Sequence, residues 1–336
     1  IGEYTVSEVS DAASAGYILP ADKQATVKVD ATTIVEMHNE LRDTPKTGDD
    51  SNPTLWLALM GVSVLGAAVC GIVCFKTRKK KEDAIMDIRY SVNQRDFKRY
   101  TTDEIRDEFL ITDLFKADEV TAVYSHVDRM VTLGCMPVNE TVSIDKGIDC
   151  WKNFGTHYFL ERREIGIFNI GGAGSITADG MEYRLGYKDC LYITKGTKEV
   201  IFSSDSEETP AKCDMVSAPA HTSYETKLIT LKDAAKRPLG DANTANKRVI
   251  NQFIHPDVLK TCQLSMGMTA LEPGSVWNSM PCHTHERRMA IYMYFEVPEN
   301  PVVMQFMGEP TETRHIVMKN DDAVTSPSWS IPCGQG

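Results

Sequence analysis

Hydrophobic positions follow two patterns along this chain. Over most of its length, apolar and polar residues alternate in short runs, which is typical of β-strands with one buried face. Residues 55–75 break that pattern because they contain no charged side chain, and the basic run 76–81 (Lys-Thr-Arg-Lys-Lys-Lys) follows them directly. About 20 apolar residues cross ~30 Å of hydrocarbon as a helix, and a basic flank marks the cytoplasmic end. The pattern therefore predicts a transmembrane helix over residues 55–75 and a basic cytoplasmic tail over residues 76–85.

The strand pattern is densest after Met86. Two alternating runs flank Asp179-Gly180 within residues 175–185, and Asp-Gly between such runs indicates a hairpin turn. The glycine-rich run 171–174 is followed by no helical pattern and no Lys-Ser/Thr pair, so we interpret it as a strand turn and not as a phosphate loop. These signals predict two β-rich halves, residues 86–226 and 248–336, joined by a polar connection over residues 227–247.

Composition and charge narrow the class of protein. The length of 336 residues is enough for two or three domains, and the net charge of −11 argues against a general nucleic-acid binder, which needs a basic surface. The nine cysteines include no Cys-x-x-Cys pair. From Cys135 onward their scatter indicates buried thiols in a reducing compartment. We therefore expect the region after Met86 to be cytoplasmic.

The first 85 residues have a different character. Residues 44–49 (Thr-Pro-Lys-Thr-Gly-Asp), the apolar span and the basic run stand in the order of a Gram-positive sorting signal. They resemble such a signal, in which a sortase thiol attacks the Thr47 carbonyl, and residues 1–43 resemble the end of a collagen-adhesin B-type surface repeat. In that family a buried glutamate promotes a Lys–Asn isopeptide bond, which maps onto Glu8 and Asn39. The alternative is that both residues are solvated surface side chains.

The resemblance implies a surface-repeat fragment over residues 1–43, a sorting-signal-like linker over residues 44–54, and a membrane or cell-wall location for this stub. One hypothesis for the chain is therefore a fragment of a sortase-anchored surface protein. The change of character at Met86 then indicates two neighbouring genes read as one.

The run with the most chemical information is 280–289 (Met-Pro-Cys-His-Thr-His-Glu-Arg-Arg-Met). Residues two apart on a strand project from one face, so His283 and His285 can close on one metal ion. The alternative is a pair of surface histidines. A turn signal at residues 272–274 and a strand-like run at residues 291–295 surround the pair, and a histidine pair at the start of a barrel strand is similar to the metal site of cupins.

Six motifs after Met86 resemble the 5-keto-4-deoxyuronate isomerase family. They are residues 124–129 (Tyr-Ser-His-Val-Asp-Arg), 159–164 (Phe-Leu-Glu-Arg-Arg-Glu), 169–174 (Asn-Ile-Gly-Gly-Ala-Gly), 261–267 (Thr-Cys-Gln-Leu-Ser-Met-Gly), 280–289 and 312–316 (Glu-Thr-Arg-His-Ile). The resemblance implies a mainly β protein with two cupin-type β-barrels, commonly a homo-hexamer, with one zinc ion per chain in the second barrel. It also implies a uronate as substrate. The reaction interconverts 5-dehydro-4-deoxy-D-glucuronate and 3-deoxy-D-glycero-2,5-hexodiulosonate in the breakdown of pectin.

Two positions depart from the family's metal site. The family holds zinc with the two histidines, a glutamate five residues after the second one, and a late histidine. His283 and His285 are present, whereas Ala290 and Pro332 occupy the other two positions, and neither side chain binds a metal. The substitutes considered are Glu286, His315 and Cys333. The resemblance also implies a second barrel truncated at its C-terminal end. We expect weak zinc binding and impaired isomerisation, and an inactive cupin that binds sugar acids stays an alternative.

A uronate carboxylate needs an arginine, because a guanidinium binds a carboxylate through two parallel hydrogen bonds. The substrate-binding candidates are Arg162, Arg163, Arg287, Arg288 and Arg314. Isomerisation also needs a base. Glu161, Glu164, Glu286 and His315 are candidates that the sequence does not rank, so the catalytic base stays unassigned.

Overall fold

The computed structural model describes residues 2–9, 17–41, 86–300 and 302–336. They belong to two compact units, which divide between residues 78 and 79. Within these ranges no helix has both the length and the apolar character to span a membrane. The predicted transmembrane helix over residues 55–75, the linker over residues 44–54 and the basic tail over residues 76–85 lie outside the described residues.

The smaller unit consists of short strands. Strand β1 (Gly2–Val6) pairs antiparallel with β3 (Lys23–Val27), and β2 (Tyr17–Ile18) pairs with β4 (Glu40–Leu41). The Asn39 side-chain amide donates to Glu8 Oε1 at 2.8 Å. Glu8 is half-buried and Asn39 is exposed. The two residues therefore meet, but the glutamate is not the buried one that the surface-repeat resemblance implies.

The larger unit consists mainly of β-strands, with three short helices near its beginning. In chain order its elements are β5 (Met86–Arg89), α1 (Gln94–Phe97), α2 (Thr102–Phe109), β6 (Leu110–Ile111), β7 (Val120–Ser125), β8 (Val131–Cys135), β9 (Val142–Ser143), α3 (Cys150–Phe154), β10 (Arg163–Asn169), β11 (Gly174–Ala178), β12 (Met181–Leu185), β13 (Cys190–Ile193), β14 (Val200–Ser204), β15 (Cys213–Pro219), β16 (Lys227–Ile229), β17 (Ala235–Leu239), β18 (Arg248–Ile254), β19 (Met266–Leu271), β20 (Trp277–Asn278), β21 (Ala290–Tyr294), β22 (Val303–Glu309), β23 (Glu312–Met318), β24 (Asp322–Ser326) and β25 (Cys333–Gln335). The prediction of a mainly β protein is confirmed.

Two facing sheets form the first half of this unit. One has seven strands in the order β16-β13-β10-β15-β8-β7-β5, and the other has four in the order β12-β11-β14-β9. Leu133, Ile165 and Met215 of the larger sheet pack against Ile176 and Phe202 of the smaller one. Burial of these two apolar faces is the main stabilising contribution.

The sheets do not form the closed barrel that the family resemblance implies. Among the described residues, no hydrogen-bonded ladder joins the edges of the two sheets. The edge strands are β16 and β5 in the larger sheet and β12 and β9 in the smaller one. This half is therefore a two-layer sandwich.

The predicted hairpin at Asp179-Gly180 is confirmed. Strands β11 and β12 pair antiparallel with Ala178 opposite Met181. Asp179 and Gly180 have φ of 45° and 82°, the left-handed values of a tight hairpin turn. The run 171–174 is a strand turn, as predicted. A Cβ on Gly172 would lie 1.9 Å from the Thr209 carbonyl oxygen, so this close approach of two backbone segments requires glycine.

Three smaller sheets form the second half, in the orders β17-β18-β19, β20-β25-β22-β23 and β21-β24-β6. Their strand pairing is also open within the described part of the chain. Met307, Met318 and Val324 form a core with Phe97 and Phe109 of the two N-terminal helices. Strand β6 pairs with β24. Residues 94–111, which the sequence placed in the first half, therefore belong to the core of the second.

The segment 227–247, predicted as a polar connection, contains two short strands. It contributes β16 to the edge of the seven-stranded sheet and β17 to the sheet with β18 and β19. Its polar composition agrees with the exposure of most side chains of β17. Apolar residues from both halves share one cluster, in which the Phe168 and Phe253 rings lie 4.9 Å apart. The two halves are therefore packed as one unit.

Candidate active site around the histidine pair

His283 and His285 lie side by side, but on a loop. Residues 281–289 form no strand, and β21 begins at Ala290. The prediction that strand alternation brings the two histidines together is therefore wrong. Their rings still meet edge to face, with centroids 4.7 Å apart.

Each imidazole has one defined hydrogen bond. His283 Nδ1 donates to the Pro281 carbonyl oxygen at 2.9 Å, which leaves the Nε2 lone pair available. The Arg288 guanidinium donates to His285 Nε2 at 3.1 Å. Partial burial and then the positive charge of Arg288 hold the pKa of His285 below its usual value. His285 is therefore neutral at neutral pH.

Strand β21 provides a wall beside the loop. Ala290, Tyr292 and Tyr294 alternate onto one face of it, and the two tyrosines pack in the core of the second half. Tyr294 donates a short hydrogen bond to Gln305. Burial raises the pKa of both phenols, so they remain protonated hydrogen-bond donors.

Pro332 lies in a buried segment whose neighbours contact β21 and the histidine loop. Pro332 is buried directly before β25, two residues from Gly334. A Cβ on Gly334 would meet the Tyr294 hydroxyl at 2.4 Å, so this face of β25 lies against the tyrosines of β21. The backbone N–H of His285 donates to the Ser328 carbonyl at 3.2 Å. The structure thus brings the histidine loop, Ala290 and the segment before Pro332 into one neighbourhood.

The substitute ligands do not complete a metal site. Among the described residues, no three His, Cys, Asp or Glu side chains are placed to hold one metal ion. Glu286 and His315 are exposed, and His315 stands opposite Phe306 on the outer face of β22 and β23. Cys333 is buried but donates to the Asn278 carbonyl at 3.2 Å.

The arginine candidates fall into different places. Arg288 contacts the histidine pair, and Arg287 is exposed on the same loop. Arg162 is exposed in the first half, at the base of β10. Arg314 donates to the Tyr100 carbonyl at 2.8 Å and fixes the N-terminal helices. Arg163 is buried, donates to Ser217 and to the Arg129 carbonyl, and stacks on Phe154. Of the five, only Arg287 and Arg288 are on the loop that carries the histidine pair.

Glu164 has no free oxygen for catalysis. It is fully buried, and its two oxygens accept hydrogen bonds from the backbone N–H groups of Cys262, Gln263 and Leu264 and from the Tyr192 hydroxyl. These donors come from both halves of the unit, so this carboxylate joins them. Glu161 accepts from the backbone N–H of His157 at 2.6 Å and is likewise in the first half.

Sequence reasoning missed Asp128. Its Oδ2 accepts a hydrogen bond from the backbone N–H of Met289 at 2.8 Å, although 161 positions separate the two residues. Met289 ends the loop that carries the histidines. The signal was present, because Asp128 lies in the motif 124–129, but its partner is set only by the fold.

Comparison with known proteins gives the family. The model of the KduI/IolB family matches residues 115–336. The chain belongs to this family. The 4-deoxy-L-threo-5-hexosulose-uronate ketol-isomerases of Escherichia coli strains SE11 and 55989 are each 53% identical to it over 251 residues, covering 75% of this chain and 90% of each relative.

Among solved structures, an IolB-like protein from Salmonella typhimurium LT2 is 16% identical, with a TM-score of 0.49 over 61% of this chain and 77% of that one. The family match lies entirely after residue 85. The comparisons therefore favour the isomerase hypothesis over the surface-protein one, which rests on residues 1–85.

Proposed function

We propose that this chain is a 4-deoxy-L-threo-5-hexosulose-uronate ketol-isomerase, which interconverts 5-dehydro-4-deoxy-D-glucuronate and 3-deoxy-D-glycero-2,5-hexodiulosonate. The observation that carries the proposal is the 53% identity to relatives of that name over 90% of their length. The neighbourhood of His283, His285 and Arg288 is its candidate active site.

The reaction moves a proton between adjacent carbons through an enediolate, so it needs a base and a group that stabilises the developing oxyanion. His283 Nε2 has a free lone pair to accept a proton, since Nδ1 donates to Pro281. The Arg288 guanidinium supplies positive charge beside the histidine pair, and a guanidinium can bind the substrate carboxylate through two parallel hydrogen bonds. The protonated phenol of Tyr292 is a further donor on the adjoining wall.

The zinc ion of the family resemblance does not fit the donor set of this chain. A catalytic zinc ion takes three protein ligands, whereas the described residues offer only two imidazoles at this site and Arg288 already binds one of them. We therefore propose weak zinc binding by His283 and His285, and no step of the reaction is assigned to the metal. The homo-hexamer that the resemblance implies stays a prediction, which analytical ultracentrifugation checks.

The test is turnover of the 5-keto uronate, followed by NMR, with metal-free and zinc-loaded protein. Replacing His283 by Ala should lower kcat by about 100-fold or more, within the range that a general base contributes. The matched control is His315→Ala, because His315 is an exposed histidine on the outer face of β23. Equal losses in both variants, or no loss at His283, would contradict the site. Absence of turnover in the parent protein would contradict the function.

A second function is favoured by Ala290 and Pro332. A family site that lacks two ligand positions can keep its shape and still bind a sugar acid without converting it. Isothermal titration with the same uronate distinguishes the two proposals. Saturable binding without turnover, abolished by Arg288→Met, would establish a binding protein.

A further inference from the structure

The turn between β7 and β8 has a costly backbone conformation. Asp128 and Arg129 both have φ of 51°, a left-handed conformation that costs a residue with a Cβ roughly 1–2 kcal/mol. Left-handed φ at both central positions is the geometry of a two-residue hairpin turn, as at Asp179-Gly180, but here the second position carries Arg129 in place of the usual glycine. Contacts around the turn must therefore offset the strain at Arg129.

The contacts of this turn lead to the candidate active site. Asp128 Oδ2 accepts from the Met289 N–H at 2.8 Å. Met289 stands between Arg288, which binds His285, and Ala290, the first residue of β21. The carboxylate thus holds the point at which the histidine loop joins its strand.

Arg129, the second residue of the turn, is bound by a side chain of the first half. The Arg129 carbonyl oxygen accepts from the Arg163 guanidinium at 2.7 Å. Arg163 is 5% exposed and donates further to the Ser217 hydroxyl at 3.0 Å and the Ser217 carbonyl at 2.9 Å. Its guanidinium also lies 5.3 Å from the centroid of the Phe154 ring. The first half therefore provides a rigid base for the turn.

We propose that Arg163, Arg129 and Asp128 form a clamp through which the first half positions the His283–His285 loop for catalysis. The effect of this clamp on catalysis rests on the proposed isomerase function. Loops are mobile unless their backbone groups are bound, and a misplacement of about 1 Å can cost ~100-fold in rate. Asp128 is a positioning residue in this arrangement. In the clamp, the buried Arg163 supports the turn and does not bind substrate.

The test compares Asp128→Ala with Asp128→Asn, which keeps an oxygen to accept from Met289. The matched control is Asp179→Ala. Asp179 also has a left-handed backbone, with φ of 45°, and its carboxylate accepts two backbone N–H groups, those of Lys198 and Glu199, in the hairpin at β11. Two measurements are made on the full chain. They are kcat and KM for the uronate, and the rate of carbethoxylation of His283 and His285 followed by mass spectrometry.

Asp128→Ala should lower kcat by about 10–100-fold, within the ~100-fold that a misplacement of about 1 Å can cost, with little change in KM. The same variant should accelerate carbethoxylation of His285, because the loop no longer holds Arg288 on its Nε2. Asp128→Asn should restore both properties. If Asp128→Ala matches Asp179→Ala in both measurements, the clamp is refuted. If the parent shows no turnover, the proposed function fails, and the modification rates still decide the clamp.

Discussion

A buried carboxylate in the larger sheet should make this protein less stable as the pH rises. Asp214 lies on β15, between β10 and β8, and is 6% exposed. Its Oδ1 has no hydrogen-bond partner. Burial, followed by the negative charge of Asp321, raises the pKa of Asp214 from 3.8 to about 7. Lys212 binds Asp321 at 2.6 Å and so does not neutralise Asp214 directly.

The sign of the change in stability with pH follows from proton binding to Asp214. Between pH 4 and pH 7 the folded protein keeps a proton on Asp214 that the unfolded chain has released, so the stability contributed by this group falls as the pH rises through that window. A difference of about 3 pKa units corresponds to roughly 4 kcal/mol, at 1.36 kcal/mol per unit. The loss should be complete above pH 7, near the folded-state pKa.

Asp214→Asn removes this titration without changing the size of the side chain. The variant should match the parent near pH 4 and be more stable by about 4 kcal/mol at pH 8, since the neutral amide pays no charge-burial penalty. Urea unfolding followed by tryptophan fluorescence at half-unit pH steps measures the difference. Asp107→Asn, at an exposed aspartate of α2, is the control for net charge. A parent whose free energy of unfolding is constant from pH 5 to pH 8, or a variant with the same slope, would refute the reasoning.

Three further predictions concern the site and the core. Replacing Ala290 by Glu together with Pro332 by His should raise zinc content toward one per chain and increase turnover, measured by metal analysis and NMR; an unaltered chain that already holds one tight zinc ion would contradict this. Glu164→Gln should lower the free energy of unfolding by about 2–4 kcal/mol, because an amide donor replaces an acceptor facing backbone N–H groups; an unchanged urea midpoint would exclude that role. Gly172→Ala should cost more than the same change at Gly155, because its Cβ would meet a carbonyl oxygen at 1.9 Å, whereas at Gly155 the Cβ meets no atom within 4 Å and only the left-handed φ of 65° costs roughly 1–2 kcal/mol; equal losses in thermal melts would be inconsistent with the clash.

The histidine pair shows how far a local pattern reaches. The sequence predicted that His283 and His285 approach each other, and their rings do, but through a loop tied to Ser328 and Asp128 instead of the alternation of a strand. A two-residue spacing is compatible with several backbone conformations. The sequence therefore predicted correctly that the two imidazoles are neighbours, but it attributed this to a strand where the structure has a loop.

The features that the sequence alone determined depend on residues close together in the chain. The Asp179-Gly180 hairpin, the strand after Met289 and the glycine turn at residues 171–174 all follow from backbone preferences and side-chain alternation. The family also follows from the sequence, since its motifs are contiguous runs.

Only the tertiary structure decided which half each segment joins and what each charged group does. Residues 94–111 pack into the second half, Glu164 binds three N–H groups about 100 positions away, and Arg163 supports a turn where a substrate ligand had been expected. The physical reason is that a buried polar group must find its partner wherever the chain brings one, and a single sequence does not record distances between residues far apart along it.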